Sequence, residues 1–197
     1  MRRRKFLAVL GVATAGAVLL HEAYGSGGVP LPFFSQNDSR WACTQFGTCS
    51  GTTIGECSGK TPGGCLVTCI AMALRGKGAG VDPAQLNSWL INNGGYDSGC
   101  FVKCSRAADY DGSGGLTWVG NGSLVSPGDL RSKIDQGRRV IAKSTRYSSH
   151  WGAIRGYLND GSKWSDFLYW DPRDNPAISR ILGDGFISQG AETREFR

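Results

Sequence analysis

Gly63-Gly64-Cys65-Leu66-Val67-Thr68-Cys69-Ile70-Ala71-Met72-Ala73-Leu74-Arg75-Gly76 is the most helix-like stretch of this chain, and it is apolar almost all round. With no polar face to offer water, a helix of that kind must be buried. The glycine pair before it and Arg75-Gly76 after it mark its ends. Cys65 therefore opens a buried helix. At that position unpaired backbone N–H groups and the positive end of the helix dipole favour an anion, which for cysteine means the thiolate. The same N–H groups could hold the oxyanion of an acyl-transfer intermediate.

Outward from this helix the pattern changes. Asp82 is an N-cap for a second helix, with Pro83 in the first helical position, a stripe of Leu86, Trp89 and Leu90, and Gly94 as its stop. Ser126-Pro127 repeats the device for a third helix, with Leu130 and Ile134 one turn apart and Gly137 behind them. From Arg138 onward short runs rich in β-branched and aromatic residues predict strands at 140–145, 151–158, 166–170 and 177–182. Asn159-Asp160-Gly161-Ser162 supplies hairpin-turn chemistry between the second and third of these, so the sheet should be antiparallel. Buried helix first and sheet afterwards is an α+β layout.

The amino end reads as an address rather than as structure. Arg3-Arg4-Lys5-Phe6-Leu7, an apolar stretch over 6–20 and small residues at Ala23 and Gly25 make residues 1–25 a secretory signal of the twin-arginine type. An apolar run of about 15 residues is shorter than the roughly 20 that span a bilayer. Residues 26–197 are then expected to form one exported domain, secreted or held at the periplasm or cell envelope, and a monomer. Of the 22 Lys and Arg and 16 Asp and Glu in the chain, 18 and 15 lie beyond the signal. That balance, with no basic run, gives no footprint for nucleic acid.

Seven cysteines, an odd number, leave one sulfur over once the rest pair in an oxidising compartment. Taking Cys65 as the free one, Cys43, Cys49, Cys57, Cys69, Cys100 and Cys104 are expected in disulfides of unknown pairing. Three precede Cys65 and three follow it, so full pairing needs at least one bridge from the Cys43–Cys57 loop to the helical half. Beyond the signal His150 is the only histidine, so any imidazole chemistry must use it. In an antiparallel pair the start of one strand, carrying His150, lies near the end of its partner, carrying Asp171, and a carboxylate there can fix the imidazole tautomer. Asp174 is a weaker substitute for that role.

These residues resemble the papain-like cysteine peptidases related to the double-glycine leader (bacteriocin-processing) peptidases. The marks run from Val29-Pro30, Gln36-Asn37-Asp38-Ser39-Arg40-Trp41 and Thr53-Ile54-Gly55 through Gly64-Cys65-Leu66-Val67-Thr68-Cys69-Ile70-Ala71-Met72. They continue in Asp82-Pro83, Leu86-Asn87, Trp89-Leu90, His150-Trp151, Gly156-Tyr157 and Asp171-Pro172. The resemblance implies a helical half carrying the nucleophile, packed on an antiparallel sheet. It implies Cys65 as nucleophile, His150 as base, Asp171 as orienter and Gln36 as an oxyanion-hole donor. The chain departs from the family at Cys69, where a small polar residue is expected, and in a cysteine-bearing insertion at about 43–62.

The function expected on this reading is hydrolysis of a peptide or isopeptide bond through a thioester acyl-enzyme, on a peptide or peptidoglycan-type substrate, with no cofactor. Besides that substrate the signal implies one partner, the twin-arginine export machinery. A second reading is a secreted module that binds peptide or cell wall without turnover, its groove lined by Trp41, Trp118, Trp151 and Trp170. A third is a zinc site on Cys65, Cys69, Cys100 and Cys104, disfavoured because an exported chain with three further cysteines favours disulfides. The chain has neither Gly-x-Ser-x-Gly nor His-Glu-x-x-His.

Overall fold

The structure, a computed structural model, describes residues 27–110, 115–175, 177–182 and 185–197. The segment 1–25, expected to be an export signal, lies outside the described residues. Helix α1 spans Cys65–Arg75, and its residues from Cys65 to Leu74 are all buried. It packs against α2 (Pro83–Asn92) on one side and against the sheet on the other. A capping box closes the start of α2: Asp82 Oδ1 accepts from Gln85 N at 2.8 Å, and Gln85 Oε1 accepts from Asp82 N at 2.9 Å. The third expected helix, Pro127–Asp135, is fourth in chain order, because the short α3 (Cys104–Ala108) comes before it. In this α4, Ser126 Oγ caps Asp129 N as its sequence predicts.

The sheet is antiparallel, in the order β4 (Trp118–Ser123), β9 (Glu192–Phe196), β5 (Arg139–Lys143), β6 (Trp151–Tyr157), β7 (Phe167–Trp170), β8 (Ser179–Ile181). The short β1 (Gly27–Gly28) joins β6 beside Gly156 and Tyr157. The strands predicted from Arg138 onward all form, each within a few residues. Two more complete the sheet. In β4, Trp-Val-Gly-Asn-Gly-Ser carries two glycines, and in β9, Glu-Thr-Arg-Glu-Phe carries three charges, so neither has the apolar signature of a strand.

Side chains alternate between two cores. Ile141, Trp151 and Ala153 face α1 and join the cluster of Ile54, Val67, Ile70, Met72 and Leu86. Val140, Ala142 and Ile154 point the opposite way, toward Leu130 and Ile134 of α4. Both faces of β5 and β6 are thus covered, which is why their sequences read as continuous apolar runs.

Two disulfides form, Cys43–Cys57 and Cys49–Cys100. The second ties the 43–62 insertion to the helical half. The expectation that six cysteines pair is corrected: Cys65, Cys69 and Cys104 are all free and buried. Cys69 sits mid-helix with no exposed surface, its thiol directed at the Trp151 carbonyl at 3.7 Å. Cys104 is buried beside the Val102 carbonyl at 3.8 Å, and its nearest cysteine in sequence, Cys100, is bonded to Cys49. The insertion itself is a loop braced by Cys43–Cys57 and by two short parallel strands, β2 (Thr52–Thr53) and β3 (Thr61–Pro62).

Candidate active site

Cys65 begins α1 behind Gly64, which offers no side-chain cap, so the first-turn N–H groups stay available. The backbone N–H groups of Trp151, Leu66 and Cys65 are directed at its sulfur. Burial nevertheless dominates. It pushes the Cys65 thiol up to about 11, the three N–H groups pull it down by less, and the Asp171 charge adds to the rise. The expected resting thiolate is therefore corrected: at neutral pH the sulfur keeps its proton and donates to the Ser149 carbonyl at 3.5 Å.

Ser149 immediately precedes His150, and its φ of 66° places it in the left-handed region. The loop that ends there is tied down by Ser144, whose Oγ accepts from Arg146 N and Tyr147 N and donates to the Phe186 carbonyl. His150 is buried edge-on against Phe186, with ring centroids 5.4 Å apart. Its Nε2 lies 2.8 Å from Asp171 Oδ1. The register of β6 on β7, with Ala153 opposite Trp170, brings the start of one strand beside the end of the other.

Burial would raise the Asp171 carboxyl. Hydrogen bonds from His150 and from Arg173 outweigh it and hold the group well below the usual carboxylate range. Arg173 contributes its backbone N–H to Oδ1 at 2.9 Å and its Nη2 to Oδ2 at 3.0 Å. With Asp171 ionised, Nε2 must be the protonated nitrogen of His150, which leaves Nδ1 as the basic one. Asp174 is engaged elsewhere, in a two-point ion pair with Arg180. Arg173 escaped the sequence reading because its role depends on a fold-back onto Asp171, two residues earlier, that no spacing signals.

Gln36 is brought in by backbone. Its N–H donates to the Pro172 carbonyl at 2.6 Å, Ser35 Oγ reaches the same carbonyl, and Asn37 Nδ2 reaches that of Arg173. The segment Ile54-Gly55 fills the space between Gln36 and the start of α1. A Cβ on Gly55 would stand 2.1 Å from the Gln36 carbonyl oxygen, and one on Gly64 would stand 2.6 Å from that of Ile54. Only glycine at both positions allows so close an approach. The Gln36 side chain is buried, and its Oε1 has no hydrogen-bond partner.

Gln36, Cys65 and His150 all line one groove of about 840 Å³, with Asp171 behind the imidazole. Of the four tryptophans considered as groove lining, Trp151 is there. Trp41 is buried in the core, Trp118 packs on Phe196, and Trp170 packs on Phe33 and donates to the Leu31 carbonyl. A zinc set of four sulfurs is broken by the Cys49–Cys100 bridge. Among the described residues no cluster of His, Cys, Asp and Glu is arranged to hold a metal ion. No protein-family model matches the chain, and no curated protein or solved structure matches it.

Proposed function

We propose that the protein is an exported cysteine peptidase of papain-like type, hydrolysing a peptide or isopeptide bond through a thioester. The observation that carries the reading is the convergence on one groove of a helix-opening thiol, an imidazole fixed by an ionised carboxylate, and a buried glutamine. With the thiol near 11, ionising Cys65 alone at pH 7 costs roughly 5 kcal/mol. The proton therefore leaves as the sulfur attacks. His150 Nδ1 accepts it while Cys65 Sγ bonds to the substrate carbonyl carbon, and Asp171 stabilises the imidazolium. Gln36 and the N–H groups opening α1 supply donors for the oxyanion. Collapse breaks the C–N bond, and His150 protonates the departing amine. Water then attacks the thioester with His150 again as base, and the thiol leaves with its proton.

Export rests on the twin-arginine pattern and on two disulfides, which suit an oxidising compartment. Among the described residues no helix is long and apolar enough to cross a membrane. A thiol-directed peptidyl epoxide tests the reading. It should label native protein at Cys65 alone, and Cys65→Ala should lose both label and turnover while His150→Ala keeps peptide binding without turnover. Even labelling of Cys65, Cys69 and Cys104, or turnover that survives Cys65→Ala, would reject it.

A further inference from the structure

On one flank of Cys65 the groove has a charged end whose residues the chemistry above does not use. Trp151 lines it. Arg194 lies over the indole with its guanidinium carbon 4.6 Å from the ring centroid, and Lys143 Nζ lies 5.9 Å from it. Both cations share one carboxylate. Arg194 Nη1 is 2.5 Å from Glu192 Oε1, and Lys143 Nζ is 3.5 Å from Glu192 Oε2. Two positive charges thus face the groove against one negative, and the longer pair leaves the Lys143 ammonium with donors to spare. Phe101 and Val102 line the same groove. Phe101 is 72% exposed, although it is anchored on both sides of its backbone. Asp97 accepts from its N–H, the Asp97 N–H donates to its carbonyl, and the preceding Cys100 is bonded to Cys49.

A solvated phenyl ring on an anchored backbone offers apolar surface, and cations over an indole offer a place for negative charge in the same groove. Resting on the peptidase reading, we propose that this end of the groove is a substrate subsite for a carboxylate on a short apolar stem, as in a glutamyl side chain or a free carboxyl end near the cleaved bond. Phe101 and Trp151 would take the methylenes, and Lys143 and Arg194 the carboxylate, which Glu192 would partly yield. A cationic residue placed there would meet two like charges and find only an occupied Glu192.

The test uses peptidyl epoxides that carry Glu, Gln or Lys at each position beside the reactive carbon, with Cys65 modification rates read by mass spectrometry. The same peptides without the epoxide are titrated against Cys65→Ala by calorimetry. At one position Glu should outrun Gln by about tenfold, a preference that weakens with salt, as expected for a partly screened charge pair. Lys143→Gln should bring the two rates within about twofold, and Glu192→Gln should widen the gap, since the competing carboxylate is gone. Equal Glu and Gln rates and affinities, or a Glu preference that survives both Lys143→Gln and Lys143→Gln/Arg194→Gln, would overturn the subsite. Glu-selective binding to Cys65→Ala with no epoxide reaction at Cys65 would uphold the subsite and reject the peptidase.

Discussion

At the scale of single residues, the state of the imidazole is set by Asp171 rather than by Cys65. The carboxylate has His150 Nε2 at 2.8 Å and Arg173 Nη2 at 3.0 Å, and is itself almost wholly buried. Replacing it with asparagine keeps the shape but turns an obligate acceptor into a group that can also donate. The His150 proton can then move to Nδ1, the nitrogen needed as base. Asp171→Asn should therefore lower kcat by about 10²-fold or more, approaching 10⁴-fold where the tautomer shift is complete. Asp174→Asn, which touches only the Arg180 pair, should leave the pH profile of kcat in place. Steady-state assays of the two variants across pH 5–9 distinguish the roles, and equal losses would mean that Asp171 merely braces the turn at Pro172.

At the scale of elements, helices α1 and α3 each carry neutral thiols into the core. Burial lifts Cys65 and Cys104 from an ordinary value of 9.0 to about 11, and lifts Cys69 well above it. Between those values the unfolded chain has released protons that the folded chain retains, so stability present below pH 9 is lost as pH climbs toward 11. The rise from 9.0 to about 11 is worth roughly 2–3 kcal/mol for each of Cys65 and Cys104 at the alkaline end. Urea melts at pH 8 and pH 10.5 should show that fall, and Cys104→Ala should flatten part of it. A stability unchanged over this interval would mean that the thiols are open to water. The same helices show what sequence can and cannot reveal. Residues 65–75 declare their burial because every side is apolar, and the caps at Asp82 and Ser126 are local chemistry, so α1, α2 and α4 were all legible. Strand β9 was not, since Glu192 and Glu195 acquire their ion pairs to other elements only once Lys143, Lys133 and Arg138 stand beside them. The Cys65–His150–Asp171 constellation could be inferred from a scarcity of histidine and the register of one hairpin. The protonation of Cys65 could not, because desolvation is a property of the packed core.

At the scale of the whole molecule, the cross-links and the core occupy different places. Cys43, Cys49, Cys57 and Cys100 all lie outside the two apolar clusters, whereas the three free thiols belong to the cluster around α1. The α1–sheet core can thus assemble before any sulfur is oxidised, as a folded-export route would require. What Cys49–Cys100 then constrains is the wall of the groove, since both cysteines line it and Phe101 follows the second. Its 51-residue separation corresponds to about 4 kcal/mol of loop entropy in the chain-entropy account. Cys49→Ser/Cys100→Ser should accordingly melt earlier by many degrees, yet keep its far-ultraviolet dichroism below the transition. Its KM should rise severalfold with kcat changed much less, because Cys65, His150 and Asp171 are held by α1, β6 and β7 rather than by the bridge. The Cys43–Cys57 bridge closes a 14-residue interval away from the groove lining, so Cys43→Ser/Cys57→Ser should cost stability with little change in KM. If the two double variants instead lost kcat and KM in the same proportion, the bridges would be holding the fold as a whole, and the groove wall would not be a separable part of it.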